Sequence, residues 1–343
     1  MSKILTVGFF GNGKSAHRYQ APFILRRPDK FKIKAMCARH KDNPAWEKIP
    51  GVNYTDNEDD ILLDDEIDLV ILSLPHHLHY EYAKKVLNAG KHCLVEKPFT
   101  NTVAEAKELY ALAKEKGLVI QCYQNRRFDS DFLTTKAVIE SGKLGKLSEV
   151  EMHYDYYRPE VPESVKEFKP YMSYLYGHAC HTLDQVVSYF GKPNHVVYDV
   201  RQLLGEGRMN DYFDLDLFYD FGKVSVKSSY FRVVERPSFV AYGLKGSFTK
   251  VTKDRQEEHL KAFYMPTSDH KDFGIDEEKH YGTLTYDNGS EIVSEKVKTV
   301  DGDYSRYFDA LYETIVNGKE KLVKDEETLC VMEMLEEGIK LCK

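Results

Sequence analysis

Lys3-Ile4-Leu5-Thr6-Val7-Gly8-Phe9-Phe10-Gly11-Asn12-Gly13-Lys14 is the stretch that decides the fold. An apolar run of strand length stops abruptly in glycines, and residues 15–27 continue with helix-like composition. A first strand has this ending when it turns tightly beneath the pyrophosphate of a dinucleotide. A Cβ in such a turn would obstruct both the reversal and the approach of backbone N–H groups to phosphate. In Gly11-x-Gly13-x-x-Ala16 the third place holds alanine, where only close helix–strand packing is required. The plain alternative is an ordinary glycine turn. Its place directly after a strand pattern favours the nucleotide reading.

The 343 residues suggest about two domains, each able to bury its own core. A formal net charge of −7 without any basic tract argues against nucleic acid as a partner. No targeting segment or long apolar run is evident, so a soluble, cytoplasmic protein with no membrane partner is expected. The six cysteines (37, 93, 122, 180, 330 and 342) form no CxxC pair and read as buried thiols. Tyrosine, 24 in all, is concentrated after residue 120, as in a large sheet with a polar, ring-lined pocket.

Strand and helix alternate through the first 123 residues. Strands are expected at 31–38, 67–74, 92–95 and 118–123, and helices at 80–89 and 102–116. Thr102-Val103-Ala104-Glu105 fits a capping box, and Gly117 fits the residue after a helix. The 67–74 run is apolar throughout, as a strand buried on both faces should be. This is the pattern of a doubly wound parallel sheet of Rossmann type, expected over 1–123. Its ligands bind beyond the carboxyl ends of the strands.

Residues 124–343 read as an α+β domain for substrate binding and oligomerisation, with a large, mostly antiparallel sheet. Strands are expected at 150–157, 196–204, 212–221, 223–233 and 239–242, with more strand-like runs through Ser294. Hairpin turns are read at Asp220-Phe221-Gly222-Lys223 and Asp287-Asn288-Gly289-Ser290. Helices are expected at 132–141, 174–190, 304–317 and 326–341. Helices on one side of that sheet would leave another face rich in tyrosine and aliphatic residues, which implies a homodimer or homotetramer.

Ala89-Gly90-Lys91-His92-Cys93-Leu94-Val95-Glu96-Lys97-Pro98 resembles the AGKHVxxEKP signature of the glucose–fructose oxidoreductase, inositol dehydrogenase and MocA (Gfo/Idh/MocA) family. Ser73-Leu74-Pro75-His76-His77-Leu78-His79 resembles its (T/S)-x-P-x-x-x-H loop. Residues 124–132, 155–159 and 177–185 resemble segments of its scyllo-inositol dehydrogenase (NADP)-like branch. The motifs follow the family's order along essentially the whole chain. The resemblance implies an NAD(P)-dependent dehydrogenase acting on CH–OH groups of sugars or polyols. It also implies cofactor contacts from Gly8, Gly11, Asn12, Gly13 and Lys14, from Arg39 and His40, from Ser73, Pro75, His76 and His79, and from Glu96 and Lys97.

Two residues are expected to carry the chemistry. An ammonium at Lys97, held extended before a proline, would favour an alkoxide-like transition state. His181 is the expected general base, taking the hydroxyl proton. Their plain alternatives are a solvated surface lysine and a hydrogen-bonded core histidine. Where many members of the family have an Asp four residues before that histidine, this chain has Gly177; Asp184 or Asp155 could replace it from another direction. The clusters His76, His77, His79 and His178, Cys180, His181 could suggest a metal, but hydride transfer needs none and no metal site is expected.

Cofactor choice is read in Cys37-Ala38-Arg39-His40-Lys41, which offers no acid for a ribose 2′-OH and three potential cations for a 2′-phosphate. NADP(H) is therefore expected ahead of NAD(H). Asn125, Arg126 and Tyr157 are the expected substrate contacts, suited to pairing the hydroxyls of a buried sugar or polyol. Two alternatives remain: a redox-assisted glycosidase with tightly held NAD, and a cofactor-binding protein of low turnover.

Overall fold

The computed structural model describes residues 3–342. Its contacts divide the chain into two units: residues 3–125, 259–273 and 304–329, and residues 126–258, 274–303 and 330–342.

The first unit is built on six parallel strands. They are β1 (Leu5–Phe10), β2 (Phe31–Cys37), β3 (Asn53–Thr55), β4 (Leu69–Leu72), β5 (His92–Val95) and β6 (Ile120–Cys122). The spatial order is β3-β2-β1-β4-β5-β6, the doubly wound arrangement expected from the alternation of elements. All four residues of β4 are fully buried, so its apolar run reflects cover on both faces. The connecting helices are α1 (Ala21–Leu25), α2 (Asp59–Leu62), α3 (His79–Asn88) and α4 (Val103–Glu115). The Thr102–Glu105 capping box at α4 is formed reciprocally, as its sequence demands. The helix read at 15–27 is split into a π-turn, Ser15–Gln20, and α1. Pro22 in the first turn of α1 has no N–H to give, and the wider π-turn absorbs the lost bond.

The second unit holds eight strands. They are β7 (Leu147–His153), β8 (His195–Arg201), β9 (Tyr212–Tyr219), β10 (Gly222–Ser229), β11 (Phe239–Gly243), β12 (Gly246–Lys250), β13 (Gly282–Asp287) and β14 (Ile292–Val297). Every neighbouring pair is antiparallel except β7 with β10. Helices α5 (Ser130–Glu140), α6 (Glu160–Ser164) and α7 (Cys180–Phe190) belong to this unit, and α8 (Arg255–Lys261) follows β12. Two helices close the chain, α9 (Ser305–Asn317) and α10 (Asp325–Lys340). Although α9 comes late in sequence, its buried Tyr307, Phe308 and Leu311 complete the core of the first unit. Tyr307 Oη accepts from Gln121 Nε2 at 2.6 Å.

The outer face of the second sheet is more polar than the expected surface of tyrosine and aliphatic residues. Phe213, Leu215 and Leu217 of β9 face the core, while Asp214 and Asp216 alternate with them. Lys223 reaches Asp216 at 3.2 Å and Glu149 at 3.4 Å, and Lys227 reaches Asp214 at 3.4 Å. That face mixes these ion pairs with exposed Val197, opposite Asp216, and exposed Tyr242, opposite Glu149.

One buried carboxyl sets a pH dependence. Asp131 is 4% exposed, and burial together with the Asp254 charge raises its pKa to about 6. The folded chain therefore holds this proton more tightly than the unfolded one. The stability gained is complete below the ordinary aspartate value of 3.8 and is lost as pH rises through about 6. At pH 7.5 the ionised group costs roughly 3 kcal/mol. Asp131→Asn should raise Tm at pH 7.5 and change it little at pH 4. An equal shift at both values would rule this out.

Candidate functional site

In the first unit, the glycine turn closes against β4. Gly11 has φ +104°, and a Cβ there would lie 2.3 Å from the Ser73 carbonyl oxygen. Its N–H donates to Cys37 O at 2.8 Å, tying the turn to the end of β2. A Cβ on Gly13 would meet nothing within 4 Å. The turn is thus obligatory at Gly11 and leaves open space over Gly13, the cradle that a pyrophosphate needs. The residues present fit a nicotinamide dinucleotide.

The Asn12 side chain ties the glycine turn to the loop after β2. Its Nδ2 donates to His40 O at 3.0 Å and Lys41 O at 3.1 Å, and Asn43 Nδ2 donates back to Asn12 O at 3.2 Å. These bonds pin the loop after β2 and leave Arg39 and His40 exposed at its start. Asp42, the nearest acid along the loop, pairs with Lys48 at 2.6 Å. Lys14 is exposed at the mouth of the turn. Gly8 sits apart from it, within β1, where an added Cβ would press on Ile61 and Ile67 at 3.1–3.2 Å.

The ends of β4 and β5 are joined by a residue that sequence reading missed. Gln20 accepts from Ser73 Oγ and donates through Nε2 to Glu96 Oε1 at 2.7 Å. The other Glu96 oxygen accepts the Lys97 backbone N–H at 3.2 Å. Burial raises the Glu96 pKa, opposed by the Lys97 charge and these hydrogen bonds. Glu96 therefore fixes the backbone that presents Lys97, itself part-exposed. Pro75 is exposed at the start of the His76–Leu78 turn. His79 is 1% exposed, with Nδ1 2.9 Å from Pro98 O and Nε2 2.9 Å from Leu74 O. Both its nitrogens face carbonyls, so it braces the two loops against each other. His76, half-buried, has its pKa lowered to about 4 by desolvation and by His79, His77 and Lys97. It is a neutral imidazole at physiological pH.

Asn125, 7% exposed, closes the first unit's sequence at the short Asn125–Phe128 turn. In the second unit, His181 lies near the start of α7 and is 9% exposed. One turn on, both Asp184 oxygens accept from Arg127 at 2.7 Å, a buried fork. Gln185 Nε2 donates to Arg126 O at 2.6 Å. These two bonds lock α7 to the 126–129 segment. The Arg126 guanidinium pairs with Asp129 at 3.1 Å and Glu257 at 3.2 Å and lies 4.9 Å from the Tyr154 ring centre. Asp155 is held by Arg236 at 2.8 and 2.9 Å. Asp184 and Asp155, which could replace the family's Asp, each hold a guanidinium. The segment carrying Gly177 is a π-turn, Leu175–Ala179, and a Cβ at 177 would meet nothing within 4 Å. His178 is ringed by Tyr174 at 4.4 Å, Tyr156 at 5.4 Å and Tyr230 at 5.6 Å. Tyr157 stands apart, 59% exposed and bridged to Phe231.

Among the described residues no cluster of three or more His, Cys, Asp or Glu could hold a metal ion. Among them, too, no helix is long and apolar enough to cross a membrane.

Comparison with known proteins agrees with this geometry. Residues 5–124 match the Gfo/Idh/MocA oxidoreductase family's NAD-binding Rossmann fold, and residues 136–343 match its C-terminal alpha/beta domain. The chain is 44% identical to the uncharacterized oxidoreductase YhhX of Escherichia coli, over 98% of this chain and 96% of that one. It is 33% identical to the scyllo-inositol 2-dehydrogenase (NADP(+)) IolW of Bacillus subtilis, over 99% and 94%. A solved oxidoreductase from Bacillus cereus superposes with a TM-score of 0.90 at 44% identity, covering 97% and 95% of the two chains.

Proposed function

This chain belongs to the Gfo/Idh/MocA family of NAD(P)-dependent oxidoreductases, and on that premise we propose that it is an NADP(H)-dependent dehydrogenase of a cyclic polyol or sugar, scyllo-inositol-like in shape. The observation that carries the cofactor choice is the loop after β2. Asn12 pins it so that Arg39 and His40 stand free of any carboxylate suited to a ribose 2′-OH, with Asp42 taken by Lys48. The similarity to IolW, a scyllo-inositol 2-dehydrogenase (NADP(+)), supports the substrate class.

When bound, the nicotinamide ring accepts or gives a hydride at the substrate carbon. Gly11 and Gly13 let the pyrophosphate approach the backbone, and Arg39 meets the 2′-phosphate with its planar fork. Lys97 Nζ favours negative charge on the substrate oxygen, and the His181 imidazole takes the hydroxyl proton. Asn125 and Arg126 pair substrate hydroxyls; Tyr157, being exposed, contributes from a more open position. A homodimer or homotetramer formed through the second sheet would meet through a surface of ion pairs with exposed Val197 and Tyr242 among them.

Arg39 provides a direct test. A charge-assisted contact to phosphate is worth about 1.5–3 kcal/mol, so Arg39→Ala should weaken NADP+ by roughly tenfold or more and leave NAD+ nearly unchanged. Equal loss for both cofactors, measured by titration calorimetry, would remove Arg39 from the specificity.

A further inference from the structure

Arg18 is a buried cation without an acceptor. It lies in the Ser15–Gln20 turn that follows the glycine turn, and it is 8% exposed. Its guanidinium carbon is 4.6 Å from the ring centre of Phe263 and 5.6 Å from that of Trp46. Trp46 packs on Phe263 at 5.8 Å and stacks on His17 at 5.6 Å, with ring planes 9° apart. All of these residues belong to the first unit. The rings attract the charge through their faces but accept no N–H in line, and the buried Nε has no hydrogen-bond partner. Among the described residues no carboxylate pairs with Arg18.

That arrangement is costly unless something completes it. The buried Nε–H is desolvated without a hydrogen bond in return, a cost that an acceptor would relieve. Arg127, equally buried, shows the ordinary solution, a fork onto Asp184 at 2.7 Å. At Arg18 the rings occupy the place of the acid, and the fork is left for an acceptor from outside the chain.

The same rings open onto a way in. His17, Trp46 and Phe263 line a cavity of about 1140 Å³, with Arg26, Lys48 and Lys271 on its wall. This is room for a nucleotide-sized ligand. Cations outnumber the single lining acid, Glu47, even with Lys48 paired to Asp42, which favours an anionic ligand.

We propose that Arg18, clamped by Phe263 and Trp46, is an anion-binding residue that receives a phosphate group of a small molecule. A planar fork favours phosphate, which it grips through two N–H donors. The phosphate has two possible carriers: the dinucleotide bound at the neighbouring glycine turn, or a separate phosphorylated compound in the cavity. The inference does not depend on the substrate or on turnover.

Trp46 is the sole tryptophan of the chain, so its emission reads the site directly. Inorganic phosphate, NAD+ and NADP+ are each titrated into the full chain at fixed pH and ionic strength, and into R18M. Phosphate should give a saturable change in Trp46 emission and raise Tm. R18M should lose both effects while its unliganded Tm is no lower than the parent's. Phosphate that adds nothing once dinucleotide is saturating assigns the group to the dinucleotide; a second, additive change assigns it to a separate ligand. If R18M does not fold, R18K keeps the charge without the fork and should weaken phosphate at least fivefold. No saturable change with any of the three probes, the same change in R18M, or unweakened binding in R18K would overturn the assignment.

Discussion

Lys97→Ala is expected to lower turnover by about two orders of magnitude or more while dinucleotide binding stays within about twofold of the parent. The backbone at this position is held independently of its side chain. Lys97 N–H donates to Glu96 Oε2 at 3.2 Å, and Glu96 Oε1 is fixed by Gln20 at 2.7 Å. Deleting the side chain therefore removes the ammonium and little else. A hundredfold loss corresponds to about 2.7 kcal/mol of transition-state stabilisation, which is in range for one charge beside a developing alkoxide. Calorimetry of NADP+ binding separates the two roles. Near-normal turnover with the best substrate would take Lys97 out of the mechanism, and lost cofactor binding would make it a binding residue.

His181→Asn should cost between about a hundredfold and ten-thousandfold in kcat, the usual range for a general base. Asparagine keeps the size and polarity of the side chain, and α7 keeps its anchors, since Asp184 still meets Arg127 and Gln185 still meets Arg126. The fold should survive, with Tm close to the parent's. Turnover that persists in this variant would mean that the proton leaves through a water or another side chain.

The first unit was legible because its signals are local. A strand ending in Gly11-Asn12-Gly13, the apolar run of β4 and the Thr102–Glu105 box each declare themselves within a few residues. What escaped is long-range. Gln20 looked like an ordinary helix residue, yet it joins Ser73, 53 positions away, to Glu96, 76 positions away. The Arg127–Asp184 fork spans 57 positions and has no local signature. The 259–273 segment, which carries the Phe263 ring over Arg18, folds with the first unit although it lies far along the chain from residues 3–125.

The misreading of the second sheet has another cause. The alternation in β9 was present in the sequence as Phe213-Asp214-Leu215-Asp216-Leu217, apolar inward and acidic outward. The count of tyrosines hid it. Many of those rings lie in clusters, such as Tyr156, Tyr174 and Tyr230 around His178, and few, such as Tyr212 and Tyr242, stand on the outer face. At Gly177, sequence alone left two acids as possible substitutes. Their pairing with Arg127 and Arg236 became visible only in three dimensions.

The most direct measurement is the rate of rise of absorbance in the reduced-nicotinamide band. The full chain would be mixed with NADP+ or NAD+ across a panel of cyclic polyols and aldoses. Stoichiometric, saturable reduction of NADP+ by a cyclic polyol or aldose, with kcat/KM at least tenfold above that with NAD+, is the expected result. Binding of dinucleotide without reduction by any member of the panel, or a preference for NAD+, would contradict it.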